Sequence, residues 1–439
     1  MKKLLIIVFT LWVLFGCTEV EEPTPTPPRE YDAAELIMLE EMENSFNFFW
    51  EQANTDEESG GYGLINDRYP SNVSLSSIAS VGFGLAGLPI GIEYEWITYD
   101  EGFERAEKTL DTFLALDNYH GFFYHFLNKQ TGERAGTSEV SIIDTALFLA
   151  GAITAGEYFG GDVKEKAEDL YEQIDWTWYL DPSRNMFYMG YRPESGFAGH
   201  WDFYGEQLIL YVLGAGAPNE AYRTNVSTYN TFIRRQASYG GGETFISSWF
   251  GSLFTYQFSH AFVDFRNRED AQGVNWFENS INATIANRQY AIDSHSTFQT
   301  FTANSWGMTA SDGPRGYSGY YGSKPSGYTD DAHRNDGTIA PAGALGSAPF
   351  TPDLVKGAIQ YFETIGGLKG EYGYKDAYNF DQATPWVAGD IIGIDKGITL
   401  LMLANYFDGL VWEQFMKNEY VNLGLERIGI LPVEISETA

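Results

Sequence analysis

About twelve stretches of this chain carry apolar residues at three- and four-residue spacing, and this pattern constrains the fold more than any other feature. Leu36, Leu39, Met42 and Phe46 recur at the spacing that places them on one face of a helix. The stretch 142–153, by contrast, is apolar on every side and carries a single charge. Helices that are apolar all round must be packed on all sides, and helices with one apolar face can cover them. The pattern therefore predicts an all-α fold, an (α/α)6 barrel (toroid) with an inner and an outer ring of helices.

Long loops rich in glycine and aromatic residues separate the predicted helices, chiefly at 119–137, 181–200, 293–337 and 369–394. Within the first of them, the segment 121–135 alternates and turns in the manner of a short β-hairpin. After Tyr31 the sequence has no second linker, no short-period repeat and no alternation of strands with helices. Residues 31–439 are therefore expected to form a single (α/α)6 domain.

The N-terminal segment has the features of an export signal. Residues 1–16 combine Lys2 and Lys3 with an apolar run that is too short to span a bilayer, which is typical of a signal peptide. The run ends in LFGC at 14–17, which resembles a bacterial lipobox, so we expect cleavage before Cys17 and lipidation of this cysteine. Residues 17–30 continue as an acidic, proline-rich tether. The sequence thus predicts a lipoprotein of the bacterial envelope, held at the periplasmic or surface face of the outer membrane only by its lipid anchor.

Charge and cysteine content exclude several classes of protein. With 27 Lys and Arg against 60 Asp and Glu, the net charge is -33, and such a chain cannot assemble the basic surface that nucleic acids require. A single cysteine excludes a disulfide scaffold and a cysteine zinc site. The six histidines are scattered, and the loop 330–337 does not fit an EF-hand because Ala332 would occupy its first ligand position. We expect a monomer without a cofactor or a metal ion.

Two acids lie near the apolar stretch 142–153. Asp144 stands inside it, where a carboxylate must face a polar cavity or a charged partner. Glu139 lies at its beginning, where a helix N-terminus favours an acid. Both also have a purely structural explanation, as a buried acid satisfied by its surroundings and as an ordinary helix-start acid. At about 100° per residue the two side chains are roughly 140° apart, so they do not form a pair on one face.

Two further acids precede apolar helical runs. Glu206 follows Trp201 and Tyr204, and an apolar aromatic environment raises the pKa of a carboxyl group as a general acid requires. Asp395 stands at the beginning of the last apolar run, beside Lys396, with which it could instead form a solvated pair. No nucleophile motif of the G-x-S-x-G type is present in the sequence.

Acids at several helix starts and aromatic-rich loops are what hydrolysis of a glycosidic bond requires. In that reaction one carboxylic acid protonates the leaving oxygen, and one carboxylate activates water or attacks C1. The aromatic content is 16%, and together with 47 Gly it favours loops whose exposed rings stack on sugars. The residues alone therefore predict a carbohydrate-active protein with two catalytic carboxylates.

Four ordered motifs within residues 35–415 resemble the bacterial glucoamylase-like (glycoamylase) domain. They are YRPESG at 191–196 followed by HWDFYGE at 200–206, WGMTASDGPRGY at 306–317, DGTIAP at 336–341, and IDKG at 394–397 leading to Asn405-Tyr406. The chain is most similar to glycoside hydrolase family 144, which includes endo-β-1,2-glucanases that invert the anomeric carbon.

The resemblance implies an (α/α)6 barrel that hydrolyses a β-linked glucan, most directly as an inverting endo-β-1,2-glucanase. It matches Glu206, the expected general acid, and Asp395 to acids of the family site, and Glu139 or Asp144 to the acidic segment upstream. The motifs and their flanking loops supply the residues expected to bind the sugar: Arg192, His200, Trp201, Asp202, Tyr204, Trp306, Asp312, Arg315, Tyr317, Trp386 and Lys396. The alternatives are an exo-acting glucosidase on gluco-oligosaccharides and a non-catalytic glycan-binding surface lipoprotein.

The outcome at the anomeric carbon depends on which acid faces Glu206. On a helix, Asp202 would lie about 5–6 Å from Glu206 at Cβ, close to the retaining separation of about 5–5.5 Å. Glu139, Asp144 or Asp395 across a cleft would leave the gap of about 6.5–9.5 Å that inversion requires. The resemblance favours the cross-cleft arrangement, with Asp202 as a ligand of a sugar hydroxyl.

Overall fold

The computed structural model of the protein describes residues 29–433. The predicted signal peptide, Cys17 and the tether up to residue 28 lie outside the described residues. Helices dominate the described part of the chain. They are α1 (Ala33–Glu51), α2 (Ile78–Glu93), α3 (Tyr99–Ala115), α4 (Ile142–Phe159), α5 (Gly161–Glu172), α6 (Leu208–Gly216), α7 (Val226–Tyr229), α8 (Phe258–Phe262), α9 (Trp276–Asp293), α10 (Pro341–Leu345), α11 (Pro352–Phe362), α12 (Gly393–Phe407), α13 (Leu410–Phe415) and α14 (Glu419–Ile428).

The even-numbered helices from α2 to α12 are the apolar ones. α2, α4, α6 and α12 are buried over most of their length, and all five residues of α8 and of α10 are buried. Helices such as α3, α5 and α11 bury one face only. In α3, Ala106 and Phe113 point to the core while Glu104 and Asp111 are exposed. The two kinds of helix predicted from periodicity are therefore both present.

The apolar helices contact one another in chain order. α2 packs on α4, α4 on α6, α10 on α12, and α12 on α2. Ser259 of α8 joins α8 to the start of α6, because its Oγ donates to the Glu206 carbonyl (2.6 Å) and accepts from the Ile209 N–H (3.1 Å). Gln257, which precedes α8, donates from Nε2 to the Gly343 carbonyl in α10 (2.8 Å). The series thus runs from α2 through α12 and returns to α2, which places the starts of α6 and α12 three positions apart.

Short antiparallel strands lie between the helices and often directly precede an apolar helix. They are β1 (Arg68–Tyr69), β2 (Leu75–Ser77), β3 (Phe126–Asn128), β4 (Val140–Ser141), β5 (Leu180–Asp181), β6 (Met186–Arg192), β7 (Gly196–His200), β8 (Gln236–Ala237), β9 (Phe245–Ile246), β10 (Arg268–Glu269), β11 (Lys369–Gly370), β12 (Gly373–Tyr374), β13 (Tyr378–Asn379), β14 (Trp386–Val387), β15 (Ile391–Ile392) and β16 (Leu431–Pro432). β1 pairs with β15, β2 with β3, and β4 with β6, so the starts of α2, α4 and α12 are each fixed by a strand pair.

The fold contains more β structure than the predicted single hairpin. In the segment 121–135, β3 pairs with β2, and a tight turn then brings Leu127 opposite Arg134. The predicted loop 181–200 is instead a β-hairpin, in which β6 pairs with β7 from Tyr188 opposite His200 to Arg192 opposite Gly196. This hairpin joins the rest of the chain through β4 and β5.

Helical periodicity in the sequence also predicts helices at 219–236 and 246–258, and these two predictions are wrong. In the first, Arg223 and Asn225 adopt extended backbone conformations, so the segment forms only two short helical turns, whose N-caps are Asn219 and Asn225. In the second, Gly251 adopts φ +63°, and a Cβ there would lie 2.0 Å from the Ser323 carbonyl oxygen. Extended residues and a close backbone approach therefore interrupt the periodic pattern.

Helix α4 is long and apolar enough to cross a membrane. Most of its length is buried inside the described structure, as expected for a core helix.

Candidate active site

A cavity of about 430 Å³ lies at the N-terminal ends of α4, α6 and α12. Four acids line it: Glu139, Asp144, Glu206 and Asp395. Asp144 and Asp395 are in the first turns of α4 and α12, and Glu206 lies just before α6. The positive end of a helix dipole stabilises an acid at such positions. The structure thus brings together the four acids that the sequence singled out.

Glu206 lies in an apolar part of the cavity wall. Trp201, Phe254 and Phe258 line the cavity with it. Among the described residues, hydrogen bonds to the Glu206 carboxyl group are absent. Burial, assisted by the nearby Asp144 carboxylate and opposed by His125, raises the pKa of Glu206 to about 8. Glu206 is therefore protonated at neutral pH and can donate a proton into the cavity.

Glu139 has the opposite environment. Its Oε1 is 3.1 Å from His125 Nδ1, and its Oε2 accepts from Arg192 Nη2 at 2.8 Å. The hydrogen bond from His125 outweighs the effect of burial and, with the charges of His125 and Arg192, lowers the pKa of Glu139 to about 2. Both carboxylate oxygens are occupied and the group is a weak base, so Glu139 acts in holding Arg192 and His125 in place.

Asp144 is fixed at the start of α4 by Ser141. The Ser141 hydroxyl donates to Asp144 Oδ2 (2.5 Å) and accepts from the Asp144 N–H (3.2 Å). Its other oxygen, Oδ1, is 3.5 Å from His125 Nε2. Burial disfavours the charged imidazole, but the Asp144 and Glu139 carboxylates outweigh it and raise the pKa of His125. His125 thus joins the two acids, which favour its charged form.

Asp395 forms a buried pair with Asp376. The two carboxyl groups hydrogen-bond each other, and the Asp312 N–H donates to Asp376 Oδ2 at 2.6 Å. Asp395 Oδ2 and Asp376 Oδ1 are buried with no other hydrogen-bond partner among the described residues. Burial and the repulsion from Asp376 raise the pKa of Asp395 well above its usual value, and burial raises that of Asp376 to about 6. Because two carboxylates in contact cannot both ionise easily, the pair holds one proton at neutral pH.

Arg68 balances the remaining negative charge around this pair. Its Nη1 lies 3.2 Å from Asp312 Oδ2 and 3.1 Å from Asp390 Oδ2. Arg68 is in β1 opposite Ile392 of β15, so the strand pair that starts α12 also places the guanidinium. Asp312 is thereby engaged with Arg68 and is outside the cavity lining, so its role as a sugar ligand stays a prediction.

Lys396 was also expected to bind sugar, and this prediction is wrong. Its Nζ lies 2.6 Å from Glu41 Oε1 of α1, and both side chains are buried. Consecutive residues on a helix point about 100° apart. Asp395 therefore faces the cavity while Lys396 faces the interface between α12 and α1.

Two of the predicted sugar platforms belong to the core instead. Trp306 is fully buried, and Tyr204 is buried and stacked on Trp276 with ring centroids 4.9 Å apart. Neither ring has a free face for a ligand. Trp201 and Tyr317 do line the cavity, and so does Arg192.

The other predicted sugar ligands lie outside the cavity lining. His200 Nε2 lies 3.0 Å from Asp181 Oδ2, Trp386 is half-buried in β14 opposite Asn379, and the Arg315 side chain is 84% exposed. Asp202 is exposed, and α6 begins only at Leu208, so the helical spacing assumed for Asp202 and Glu206 does not apply. The retaining arrangement of these two acids therefore loses its geometric basis.

We expect Trp306→Phe to affect stability and leave substrate binding unchanged. The smaller ring leaves a cavity in the core, which should lower the free energy of unfolding by about 1–3 kcal/mol. Denaturant unfolding measures the loss, and KM for a glucan should match that of the unaltered protein. A raised KM at unchanged stability would contradict the placement of Trp306 in the core.

A wider cavity of about 750 Å³ lies between α3 and the turn 129–134. Its Lys108 forms ion pairs with Glu57 and Glu104, whose side chains are 65% and 61% exposed. Exposed pairs of this kind are weak and common on surfaces. The smaller cavity, with its buried acids, is therefore the candidate site.

Sequence reasoning missed two residues of the site. His125 is one of the six scattered histidines, to which the sequence assigned no role, although it joins Glu139 and Asp144. Asp376 lies in the loop between α11 and α12, where no periodic pattern marks it, and its partners Asp312 and Asp395 are far away in sequence. Among residues 29–433, no group of three or more His, Cys, Asp and Glu side chains is arranged to hold a metal ion.

Comparison with known proteins places this site in a family. The Glycoamylase family model matches residues 199–419, half of the chain, including Glu206 and Asp395. An exo β-1,2-glucooligosaccharide sophorohydrolase (non-reducing end) from Parabacteroides distasonis is 26% identical over 425 residues. The match covers 88% of this chain, and the chain spans 57% of the length of that relative.

Two solved structures have the same fold. An endo-β-1,2-glucanase from Chitinophaga pinensis, in complex with sophorotriose and glucose, aligns with a TM-score of 0.81 at 25% identity and covers 91% of this chain and 99% of its own. A β-1,2-glucanase from Parabacteroides distasonis aligns with a TM-score of 0.79 at 25% identity, over 91% of this chain and 60% of its own. With the family model matching half of its length, this chain belongs to the Glycoamylase family.

Proposed function

We propose that this protein is a glycoside hydrolase that cleaves β-1,2-linked glucan with inversion of the anomeric carbon. The observation that carries the proposal is the cavity that a protonated Glu206 and Asp395, the partner of Asp376, line from helix starts three positions apart in the helix series. A general acid and a general base on opposite sides of the scissile bond are what an inverting hydrolase requires.

Glu206 is the general acid in this proposal. Its pKa of about 8 keeps it protonated at the pH where most enzymes work, and its carboxyl group faces the cavity without a competing partner in residues 29–433. Asp144 contributes by raising the pKa of Glu206, and His125 opposes it. Glu139, with its pKa of about 2, is unsuited to either proton transfer.

Asp395, supported by Asp376, is the general base. The pair carries one proton and one negative charge at neutral pH, so it can accept a proton from water. The starts of α6 and α12 lie three positions apart in the helix series, whereas α4 adjoins α6. Asp395 is thus the acid best separated from Glu206, which favours the wider gap of about 6.5–9.5 Å.

The reaction balances within this set of groups. Water attacks the anomeric carbon as the Asp395–Asp376 pair takes one of its protons, and the bond between that carbon and the glycosidic oxygen breaks. Glu206 gives its proton to the departing oxygen. Exchange with solvent then removes the extra proton from the Asp pair and returns one to Glu206. Trp201 and Tyr317 can contact the faces of the sugar rings in the cavity.

The choice of the β-1,2 linkage rests on the relatives, whose names specify this linkage. Endo action is favoured because the endo-β-1,2-glucanase aligns over 99% of its own length, whereas this chain spans only 57% of the exo-acting sophorohydrolase. Exo action on gluco-oligosaccharides is the second candidate, since the hairpin of β6 and β7 forms one wall of the cavity.

We expect β-1,2-glucan to release reducing ends, first as oligosaccharides and with the α-anomer formed initially. Reducing-sugar release from β-1,2-, β-1,3-, β-1,4- and α-1,4-glucans tests the linkage, and proton NMR of the first product tests the stereochemistry. Release of a disaccharide alone would replace endo by exo action. An initial β-anomer would refute the assignment of Asp395 as base, and no release from any glucan would favour a binding protein.

We also propose that the helices close into an (α/α)6 barrel. Support comes from the chain-order contacts of the six apolar helices and from the hydrogen bonds of Ser259 and Gln257 that join α6, α8 and α10. The acids then lie at one mouth of the barrel, where the N-termini of the inner helices meet.

For the location of the protein, we propose a lipid-anchored monomer at the bacterial envelope. The lipobox-like sequence before Cys17 and the acidic tether support this placement. Metabolic labelling with a fatty acid, compared between the native sequence and Cys17→Ser, tests the anchor.

A further inference from the structure

Exposed aromatic rings are concentrated on loops beside the candidate active site. Trp249 is 40% exposed, and Tyr320 and Tyr328 are 55% and 59% exposed. A contiguous exposed apolar patch of this kind marks a binding surface more often than chance. We refer to Phe203, Trp249 and Tyr328 as the aromatic platform.

The rings of the platform hold one another in place. Phe203 lies 5.3 Å from Trp249 and 5.4 Å from Tyr328, and Trp249 lies 5.4 Å from Tyr328, measured between centroids. Each pair is close to perpendicular, with interplanar angles of 83°, 86° and 87°. Phe203 is buried, so it supports the two exposed rings from the protein side.

An ion pair and hydrogen bonds hold the loops that carry the platform in place. Arg235 Nη1 lies 2.7 Å from Asp330 Oδ1, and the Ser326 hydroxyl lies 2.7 Å from His333 Nδ1. Near Trp249, the Gly251 carbonyl accepts from the Ser323 N–H at 3.1 Å. Rings that are already ordered lose little conformational entropy when a ligand stacks on them.

The platform is continuous in sequence with the cavity. Phe203 lies between Trp201 and Glu206, which both line the cavity. Phe254 and Tyr317 also line the cavity. Trp249 precedes Phe254 by five residues, and Tyr328 follows Tyr317 on the same loop. The platform is therefore carried by the same segments of chain that form this wall of the cavity.

We propose that the aromatic platform binds glucose rings of a β-1,2-glucan chain that extends beyond the cavity. The inference rests on the proposed function and adds a subsite to it. The C–H face of a pyranose stacks on Trp and Tyr rings. A neutral sugar suits this surface, because Asp330, the carboxylate that follows Tyr328 most closely, is already paired with Arg235.

The test compares Trp249→Ala with the unaltered enzyme on two substrates, polymeric β-1,2-glucan and the shortest β-1,2-gluco-oligosaccharide that the enzyme cleaves. We expect KM for the polymer to rise about three- to tenfold, which is the scale of one lost aromatic contact. The values of kcat and the KM for the short substrate should stay unchanged. Trp249→Phe should restore most of the affinity. Tyr99→Ala on α3, another exposed ring at 47%, serves as the matched control and should leave both KM values unchanged.

Calorimetric titration of Glu206→Gln with the polymer, with and without Trp249→Ala, separates this inference from the proposed function. Weaker binding of the polymer by the double variant supports the platform, whether or not the unaltered protein hydrolyses the substrates. Absence of hydrolysis would refute only the proposed function. Equal binding in both variants, or an equal rise of KM on short and long substrates, would overturn the platform. If Trp249→Ala changed the sedimentation coefficient of the protein but left KM unchanged, the platform would be a contact between protein molecules, and the proposal would be overturned as well.

Discussion

Glu206→Gln is expected to lower kcat on β-1,2-glucan by at least about a hundredfold, the lower end of what general acid catalysis contributes. Glutamine has nearly the same shape, but its amide cannot deliver a proton to the leaving oxygen. The fold and KM should be preserved, because the Glu206 carboxyl group makes no hydrogen bond to residues 29–433 that the substitution would break. Initial rates of reducing-end release measure the effect.

The pH dependence of kcat distinguishes this role from a structural one. Glu206 must be protonated, so activity should fall as the pH rises through about 8. The Asp395–Asp376 pair must have lost one proton, so activity should also fall as the pH drops through about 6. Glu206→Gln should therefore remove the alkaline limb of the profile and leave the acidic limb in place.

Glu220→Gln is the control for this substitution, because Glu220 is 87% exposed and outside the cavity lining. It should leave kcat and the pH profile unchanged. Turnover close to normal in Glu206→Gln, or an alkaline limb that persists, would contradict the assignment of Glu206.

Asp395→Asn should lower kcat by about a hundredfold or more, because it removes the group that accepts the proton of the attacking water. The asparagine amide can still hydrogen-bond Asp376, so the start of α12 should keep its position. Sodium azide, a nucleophile that needs no base, should restore part of the turnover and give a glycosyl azide of inverted configuration. Product analysis by NMR identifies it.

Asp376→Asn separates the two members of the pair. The asparagine remains a hydrogen-bonding partner for Asp395, so Asp376→Asn should lower kcat less than Asp395→Asn does. If Asp376→Asn were the more damaging change, Asp376 would be the base and the assignment would be wrong. The exposed Asp353 provides an Asp→Asn control that should leave the kinetics unchanged.

Three of the four cavity acids were predictable for one physical reason. An acid inside or beside an apolar helical run is expensive unless it faces a polar cavity, and Asp144, Glu206 and Asp395 all satisfy this condition. Periodicity likewise marks α1 and α3, whose apolar faces are buried. It fails at 219–236, where extended residues between two short turns interrupt the helix.

The direction of a side chain within a helix or loop was harder to predict. Lys396 and Asp395 are neighbours in sequence, yet only the packing of α12 on α1 decides that Lys396 pairs with Glu41. Trp306 and Trp249 are both tryptophans in loops, and burial alone separates the core ring from the exposed one. Such differences depend on contacts between distant segments, which no local pattern encodes.

The β6–β7 hairpin has a consequence for how this enzyme can diversify. It supplies Met189, Gly190 and Ala198 to the cavity wall but contributes none of the four acids, and Glu139 Cγ lies 3.4 Å from where a Cβ at Gly190 would be. A bulkier residue at Ala198 would narrow the cavity. The hairpin can therefore vary in sequence without altering the proton-transfer groups. Natural variation or directed evolution in the hairpin can change the length of the products.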